Sequence, residues 1–380
     1  MRMAKAGKQA FRRCAAVLAT AACLAIAVGN IPRDALFSFG QSLALLSAGL
    51  QQPEGGAVAL NGRLEQLPSG NSPGKNGESW IPGASSEEAD AQKPEDADSS
   101  GSDTPLVPAT REPPPRSENS GDIATQQISA GSSFVQGIAI KNASSRTVDI
   151  ASELAQKPDL GLTDTTEPQV LIMHTHTSEC YMTYDAGYYN SDDPVRSSDP
   201  TCSVLAVGET IAATLREAGI GVIHDSTFHD SPKYSGAYER SAVTVQGILD
   251  QYPSIKVVLD IHRDAMTQGD GTKIKPTVEI DGKKAAQCMI IASTCDTEAV
   301  PHPNWEQNLR FALRLQSALH TKYEGLVRPL YLVDSRYNQH LTNGSLLIEV
   351  GSDSNTVEEA VYSGQLLGKT LAQVLDELKS

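Results

Sequence analysis

Three short runs hold the side chains that could do chemistry. The first is Met173-His174-Thr175-His176-Thr177-Ser178-Glu179. The second is Asp260-Ile261-His262-Arg263-Asp264, and the third is Leu347-Ile348-Glu349-Val350-Gly351. Each is an apolar, strand-like stretch running directly into ionisable groups. Taken singly each is weak, because a histidine or glutamate at a strand end is usually structural or solvated. Together they are more specific. His176 and Glu179 have H-x-x-E spacing, which a strand end and the following turn can aim at one point. His262, from a neighbouring strand, would add a second imidazole. Two imidazoles and a carboxylate are the minimal shell of a catalytic zinc, with one position left for water. Zinc there would bring the water pKa towards ~7 and polarise a scissile carbonyl. Glu349 would be the general base and proton relay. Asp260 would orient a ligand imidazole through a hydrogen bond. Arg263 and Asp264 would pair with each other or grip a substrate carboxylate. His174 lies on the same strand face as His176 and could replace it as ligand.

Rival chemistries fit less well. The G-x-S-x-G spacing occurs only at Gly70–Gly74, in a Gly/Ser/Pro-rich stretch with no strand-like run before it or helical period after it, so it makes no nucleophile elbow. The sequence has no G-x-x-x-x-G-K-[ST] phosphate loop. Cys180, next to Glu179, leaves a cysteine nucleophile open, but its thiolate would compete with the metal.

The elements that would carry these runs alternate. Strands are expected near Val170–Thr175, Ile220–Ile223, Ile255–Ile261, Val278–Ile280, Gln287–Ala292, Leu330–Val333 and Ser345–Val350. Helices are expected over Val204–Ala218, Tyr238–Gln251, Asn304–Tyr323 and Thr356–Leu378. The last would have Asn355 as N-cap and Glu358 as its capping-box partner. Asp281-Gly282 reads as a tight turn. Repeated βα units predict an α/β fold, a largely parallel central sheet flanked by helices. Ligands then sit at the carboxyl ends of the strands, where all three runs lie.

Before this body the composition differs. The whole chain has 380 residues and a net charge of −15, so phosphate neutralisation of a nucleic acid is excluded as its main business. Residues 1–50 are net +5 and residues 51–125 net −8. Lys5, Lys8, Arg12 and Arg13 precede an uncharged run from Cys14 to Gly29. That pattern reads as an uncleaved signal anchor or a signal peptide cleaved at a small-residue site, with the anchor preferred, and either places the rest of the chain outside the cell membrane. Residues 51–127, rich in Gly, Ser, Pro, Glu and Asp, read as a disordered acidic linker. Residues 128–167 read as a small β-rich preface and 168–380 as the catalytic domain. Cys180, Cys202, Cys288 and Cys295 match no zinc spacing and read as small buried hydrophobes.

The runs VLIMHTHTSECYM (170–182), VVLDIHRDA (257–265) and RYNQHLTNGSLLIEVGSDSNTVEEA (336–360) resemble the stage II sporulation protein P family of endospore-forming bacteria. The resemblance implies a fold similar to zinc-dependent N-acetylmuramoyl-L-alanine amidases. It implies Zn2+ as cofactor and peptidoglycan as substrate, with some members also cutting peptide cross-links. It implies a role in septal thinning and engulfment beside the stage II sporulation proteins D and M. By position it makes His176 and His262 zinc ligands and Glu349 the catalytic carboxylate. Glu179 is preferred as third ligand over Asp199, which lies where the related amidases carry a glutamate. Asn338 and Gln339 fall in a family motif and are expected to contact substrate.

Overall fold

The computed structural model describes residues 110–129 and 134–379. The expected signal anchor and most of the expected linker lie outside these residues. No helix of the described residues is long and apolar enough to cross a membrane.

The strands are β1 (Gly121–Gln126), β2 (Phe134–Val135), β3 (Ile138–Asn142), β4 (Pro168–Met173), β5 (Tyr188–Tyr189) and β6 (Gly221–His224). They continue with β7 (Val257–Asp264), β8 (Lys273–Ile280), β9 (Lys283–Ala286), β10 (Cys288–Ser293), β11 (Leu330–Val333) and β12 (Gly344–Ser352). The helices are α1 (Ile150–Ala155), α2 (Val204–Glu217), α3 (Ala237–Gln251), α4 (Trp305–Lys322) and α5 (Val357–Leu378).

Eight strands form the central sheet in the order β2-β3-β11-β10-β12-β7-β4-β6. The sheet is mixed. β6, β4, β7 and β12 run parallel, so their carboxyl ends share one edge. β10 is antiparallel to β12, and β2 to β3. β3 pairs with β11, so the expected preface contributes edge strands to this sheet.

Side chains alternate between the faces, as strand geometry requires. Val170 and Ile172 of β4, with Val257, Leu259 and Ile261 of β7, join α2, α4 and α5 in the main core. Leu171, Met173 and Val258 face the other way, against Val245, Ile248 and Leu249 of α3. By the same parity Asp260, His262 and Glu349 belong to the α3 face. On the opposite face α2 and α5 pack closely: a Cβ at Gly368 would come within 2.9 Å of Thr214 Cβ.

A second sheet, β5-β1-β8-β9, sits beside this framework. Asp281 and Gly282 both have positive φ, the form of a two-residue I′ hairpin turn between β8 and β9. β1 falls within the stretch expected as linker. Its Ile123 docks on Met182 and Tyr184, and its backbone pairs with β8. Such long-range pairing has no local signature in a polar, Gly-rich sequence. The cap of α5 is also one residue later than expected. Thr356 and Glu359 form the capping box. Asn355 instead accepts from Ser352 N (2.9 Å) and donates to Glu359 Oε2 (2.8 Å).

The β12 strand shifts register against β7 between Glu349 and Ser352. Gly351, at φ +69°, makes that bulge possible, since L side chains disfavour this region. A Cβ there would lie 2.7 Å from Asn355 Oδ1 and 2.8 Å from Ala286 Cβ. Gly351→Ala is expected to destabilise the protein by about 2 kcal/mol. Chemical denaturation followed by circular dichroism checks this, and an unchanged midpoint contradicts it.

Candidate metal centre

Each side chain of the centre is delivered by a strand end. β4 ends at Met173 and turns through His176 to Glu179, whose amide donates to the carbonyl of His176 (3.0 Å). This turn folds H-x-x-E back on itself. β7 supplies Asp260 and His262. β12 supplies Glu349, the direct register partner of His262 in the parallel pair. One ligand atom from each of His176, Glu179 and His262 lies within 4.8 Å of the others. All three side chains are buried, at 3%, 0% and 3% exposure, and Glu349 at 1%.

The hydrogen bonds leave specific atoms unsatisfied. Glu179 Oε2 accepts from the amide of Arg263 (3.1 Å) and lies 3.4 Å from His262 Nδ1. His262 Nε2 is 2.8 Å from Asp260 Oδ1. Asp260 is itself fixed by the amide of Thr175 (2.8 Å) and by its hydroxyl (2.7 Å). His176 Nδ1, Glu179 Oε1, His262 Nε2 and Glu349 Oε2 have no hydrogen-bond partner, the approach of Asp260 to His262 Nε2 being an ion-pair contact. Buried polar atoms are normally paired. Unsatisfied nitrogen and oxygen atoms converging on one spot are the donor set of a bound cation. The three residues therefore make a possible metal site.

The titration behaviour agrees with that. Burial lowers the pKa of His176 to about 4, against a smaller opposing pull from Glu179. Burial works against protonation of His262 too, but Asp260 and Glu179 outweigh it and hold its pKa well above the usual value. Burial would raise Glu179, but His262, Arg263 and His176 more than offset it and hold the carboxyl low. Burial first, and the Asp264 carboxylate second, push Glu349 up to about 8. Without a metal, one proton on His262 balances the neighbouring carboxylates.

The remaining expected site residues lie elsewhere. His174 points away from the cluster: Nδ1 donates to the carbonyl of Ile261 (2.8 Å), and Nε2 meets His224 Nε2 (2.9 Å). With both nitrogens engaged it does not replace His176. Arg263 is committed within the protein. Its buried guanidinium donates to the carbonyls of Cys180, Val195 and Asp264 and ties down the loop after Glu179. Asp264 pairs with Arg328 (2.9 Å). Asn338 donates to the carbonyl of Tyr238 and to Ser241 Oγ, holding α3 in place, and Gln339 is buried against β10. Asp199 closes an exposed turn onto Thr201. Burial raises the Cys180 thiol to about 12, which removes it as a nucleophile at neutral pH.

Sequence reasoning missed the aromatic wall. Tyr234 stacks on His176 (centroids 4.3 Å apart), and Tyr238 meets it edge-on (5.6 Å). Arg196 covers the outer face of Tyr234 at 4.6 Å and pairs with Asp230 (2.7 Å). The four-residue spacing of the two tyrosines, one in the loop before α3 and one in its first turn, was the one available signal.

The described chain is thus an α/β protein with a possible metal site at the carboxyl edge of its sheet. It belongs to the family described as Stage II sporulation protein P, whose family model matches residues 76–372. Over 219 residues it is 28% identical to the stage II sporulation protein P of Bacillus subtilis (strain 168), covering 55% of this chain and 51% of that protein. The chain thus spans about half the length of the curated relative it matches. Among solved structures it is similar to the N-acetylmuramyl-L-alanine amidase Ami1 of Mycobacterium smegmatis, at 14% identity and TM-score 0.32, covering 56% of this chain and 100% of that one. It is similar to the N-acetylmuramoyl-L-alanine amidase of Clostridium difficile 630, also at 14% identity and TM-score 0.32, covering 56% and 97%.

Metal binding must displace the His262 proton. Because that pKa is raised, the proton is still present at pH 7, whereas His176 is already neutral. Zinc binding at pH 7 is expected to release at least about one proton, and affinity should still climb between pH 6.5 and 8. Calorimetry in two buffers of different ionisation enthalpy measures this, and zero proton release would contradict it.

Proposed function

We propose that this protein is a zinc-dependent peptidoglycan hydrolase, an N-acetylmuramoyl-L-alanine amidase, with peptide cross-links as a second target. The observation that carries the reading is the meeting of His176, Glu179 and His262 beside Glu349 at one sheet edge. Family membership supports a role in sporulation, in septal thinning and engulfment, with the stage II sporulation proteins D and M as partners. The basic, apolar N-terminal segment would anchor the chain, leaving the catalytic domain outside the membrane, where peptidoglycan lies.

His176 Nδ1, Glu179 Oε1 and a ring nitrogen of His262 would hold zinc. Asp260, held by Thr175, pairs with His262 at Nε2, and Nδ1 lies 3.4 Å from Glu179 Oε2, so the ring sits between the two carboxylates. When bound, zinc would supply Lewis acidity for the scissile carbonyl and for water. Glu349 then moves the proton. Its unpartnered Oε2 takes a proton from the attacking water and returns it to the amide nitrogen as the carbon–nitrogen bond breaks. Burial and the Asp264 carboxylate raise the Glu349 pKa towards neutrality, which favours its taking up the proton and handing it on. Tyr234 and Tyr238 wall the space and limit solvent.

Mass spectrometry of digested sacculi tests the reading. Free stem peptides are expected, and chelation should abolish them. Muramic acid–alanine bonds left intact while stem peptides are trimmed would instead mean a peptidase. Glu349→Gln is expected to lower kcat by about 10²–10⁴-fold with zinc content unchanged. His262→Ala should lose both zinc and activity, and full activity in that variant would refute the metal reading.

A further inference from the structure

A second buried polar chain runs through the other side of β4. His174 Nδ1 is 2.8 Å from the carbonyl of Ile261, which can only accept, so the His174 proton is on Nδ1. Its Nε2 must then accept, and the atom facing it at 2.9 Å is His224 Nε2. His224 therefore carries a proton on Nε2. Its other nitrogen, Nδ1, is 2.9 Å from Glu209 Oε2, which as a carboxylate also only accepts. Glu209 is in turn paired with Arg216 (2.8 Å). Four groups on α2, β6, β4 and β7 thus form one directed series of hydrogen bonds. It ends on the peptide bond between Ile261 and His262.

Space for this contact is made by Gly208, in the interior of α2. A Cβ there would lie 2.6 Å from His174 Nε2 and 2.7 Å from His224 Nε2. Glycine is a poor residue for a helix interior. Here it admits the histidine pair. The His174 end of the series sits two residues from His176, and the carbonyl end is joined to His262. Both imidazoles of the metal centre are therefore linked to it through backbone.

We infer that Glu209, His224 and His174 are positioning residues for the metal centre: their hydrogen bonds hold the ends of β4 and β7 at the separation that brings His176 and His262 together. The inference rests on the metal reading above, so its test includes a readout that needs no metal.

In the metal-free full-length protein, nitrogen-15 spectra of the imidazoles should show His174 as the Nδ1–H tautomer and His224 carrying a proton on Nε2. A His174 protonated on Nε2 instead would overturn the inference. In His224→Phe the Ile261 carbonyl and the His262 ring signals should shift, and unchanged signals in a folded variant would overturn it. Zinc affinity is then measured by competition with a chromophoric chelator. His224→Phe and Gly208→Ala are expected to lose about tenfold. His224→Gln keeps a donor near the Nε2 position and should stay within about threefold. Gly247→Ala controls for glycine replacement in a helix, because its Cβ would meet open space, and should bind as the parent does. Parent-like affinity in both His224→Phe and Gly208→Ala would overturn the inference. If the parent protein binds no zinc, the metal reading fails, and the metal-free spectra alone decide the positioning role.

Discussion

Glu179, Asp260 and Glu349 share with two imidazoles a space at most 5% exposed. That burial of like charge is the constraint on which the rest of the architecture depends. Carboxylates taken out of water are costly unless paired with cations or donors. Here the donors are counted out closely. Thr175 gives two hydrogen bonds to Asp260, and the amide of Arg263 gives one to Glu179. What remains is a proton on His262, or a divalent ion that takes its place. The two states place positive charge in the same spot, so either one can satisfy the fold.

Much of this was legible in the sequence, and the reason is local. An apolar, β-branched run ending in ionisable residues marks a strand end, and βα alternation sends several such ends to one edge. His176, Glu179, His262 and Glu349 could be picked out on that basis. What could not be read is non-local. Arg263 looks like a substrate clamp until the loop carrying Cys180 and Val195 is folded over it. His174 and His176 are equivalent on their strand until His224 arrives from β6. β1 is polar and Gly-rich, and only its pairing with β8 makes it a strand. The antiparallel entry of β10 between β11 and β12 leaves no trace in the periodicity. The α5 cap missed by one residue because Asn355 and Thr356 are both good caps, and only the contact of Asn355 with Ser352 separates them.

The second sheet and α5 are joined by a polar framework that reaches the centre from outside. Lys275, 1% exposed, pairs with Glu359 of the capping box (2.9 Å) and with Asp185 (2.7 Å). Glu359 holds Asn355, and Asn355 holds the amide of Ser352 in the bulge that follows Glu349. Ser352 Oγ then donates to the carbonyl of Ile274 in β8 (2.8 Å). The helix start, the neighbouring sheet and the end of β12 are thus one connected structure. Glu349 emerges from it on a backbone that cannot shift alone.

The pairing of Glu349 with His262 across β12 and β7 has a further consequence. Two hydrogen-bonded strands can slide past each other only in whole residues, and one residue turns every side chain to the opposite face. The distance between these two groups is therefore quantised. An inserted or deleted residue in β12 would bury Glu349 among Ile348's present neighbours in the main core. There is no path by which the pair drifts apart by fractions of an ångström. The centre can be kept or lost in one step, and small variations among descendants of this chain must arise in the loops that close over it.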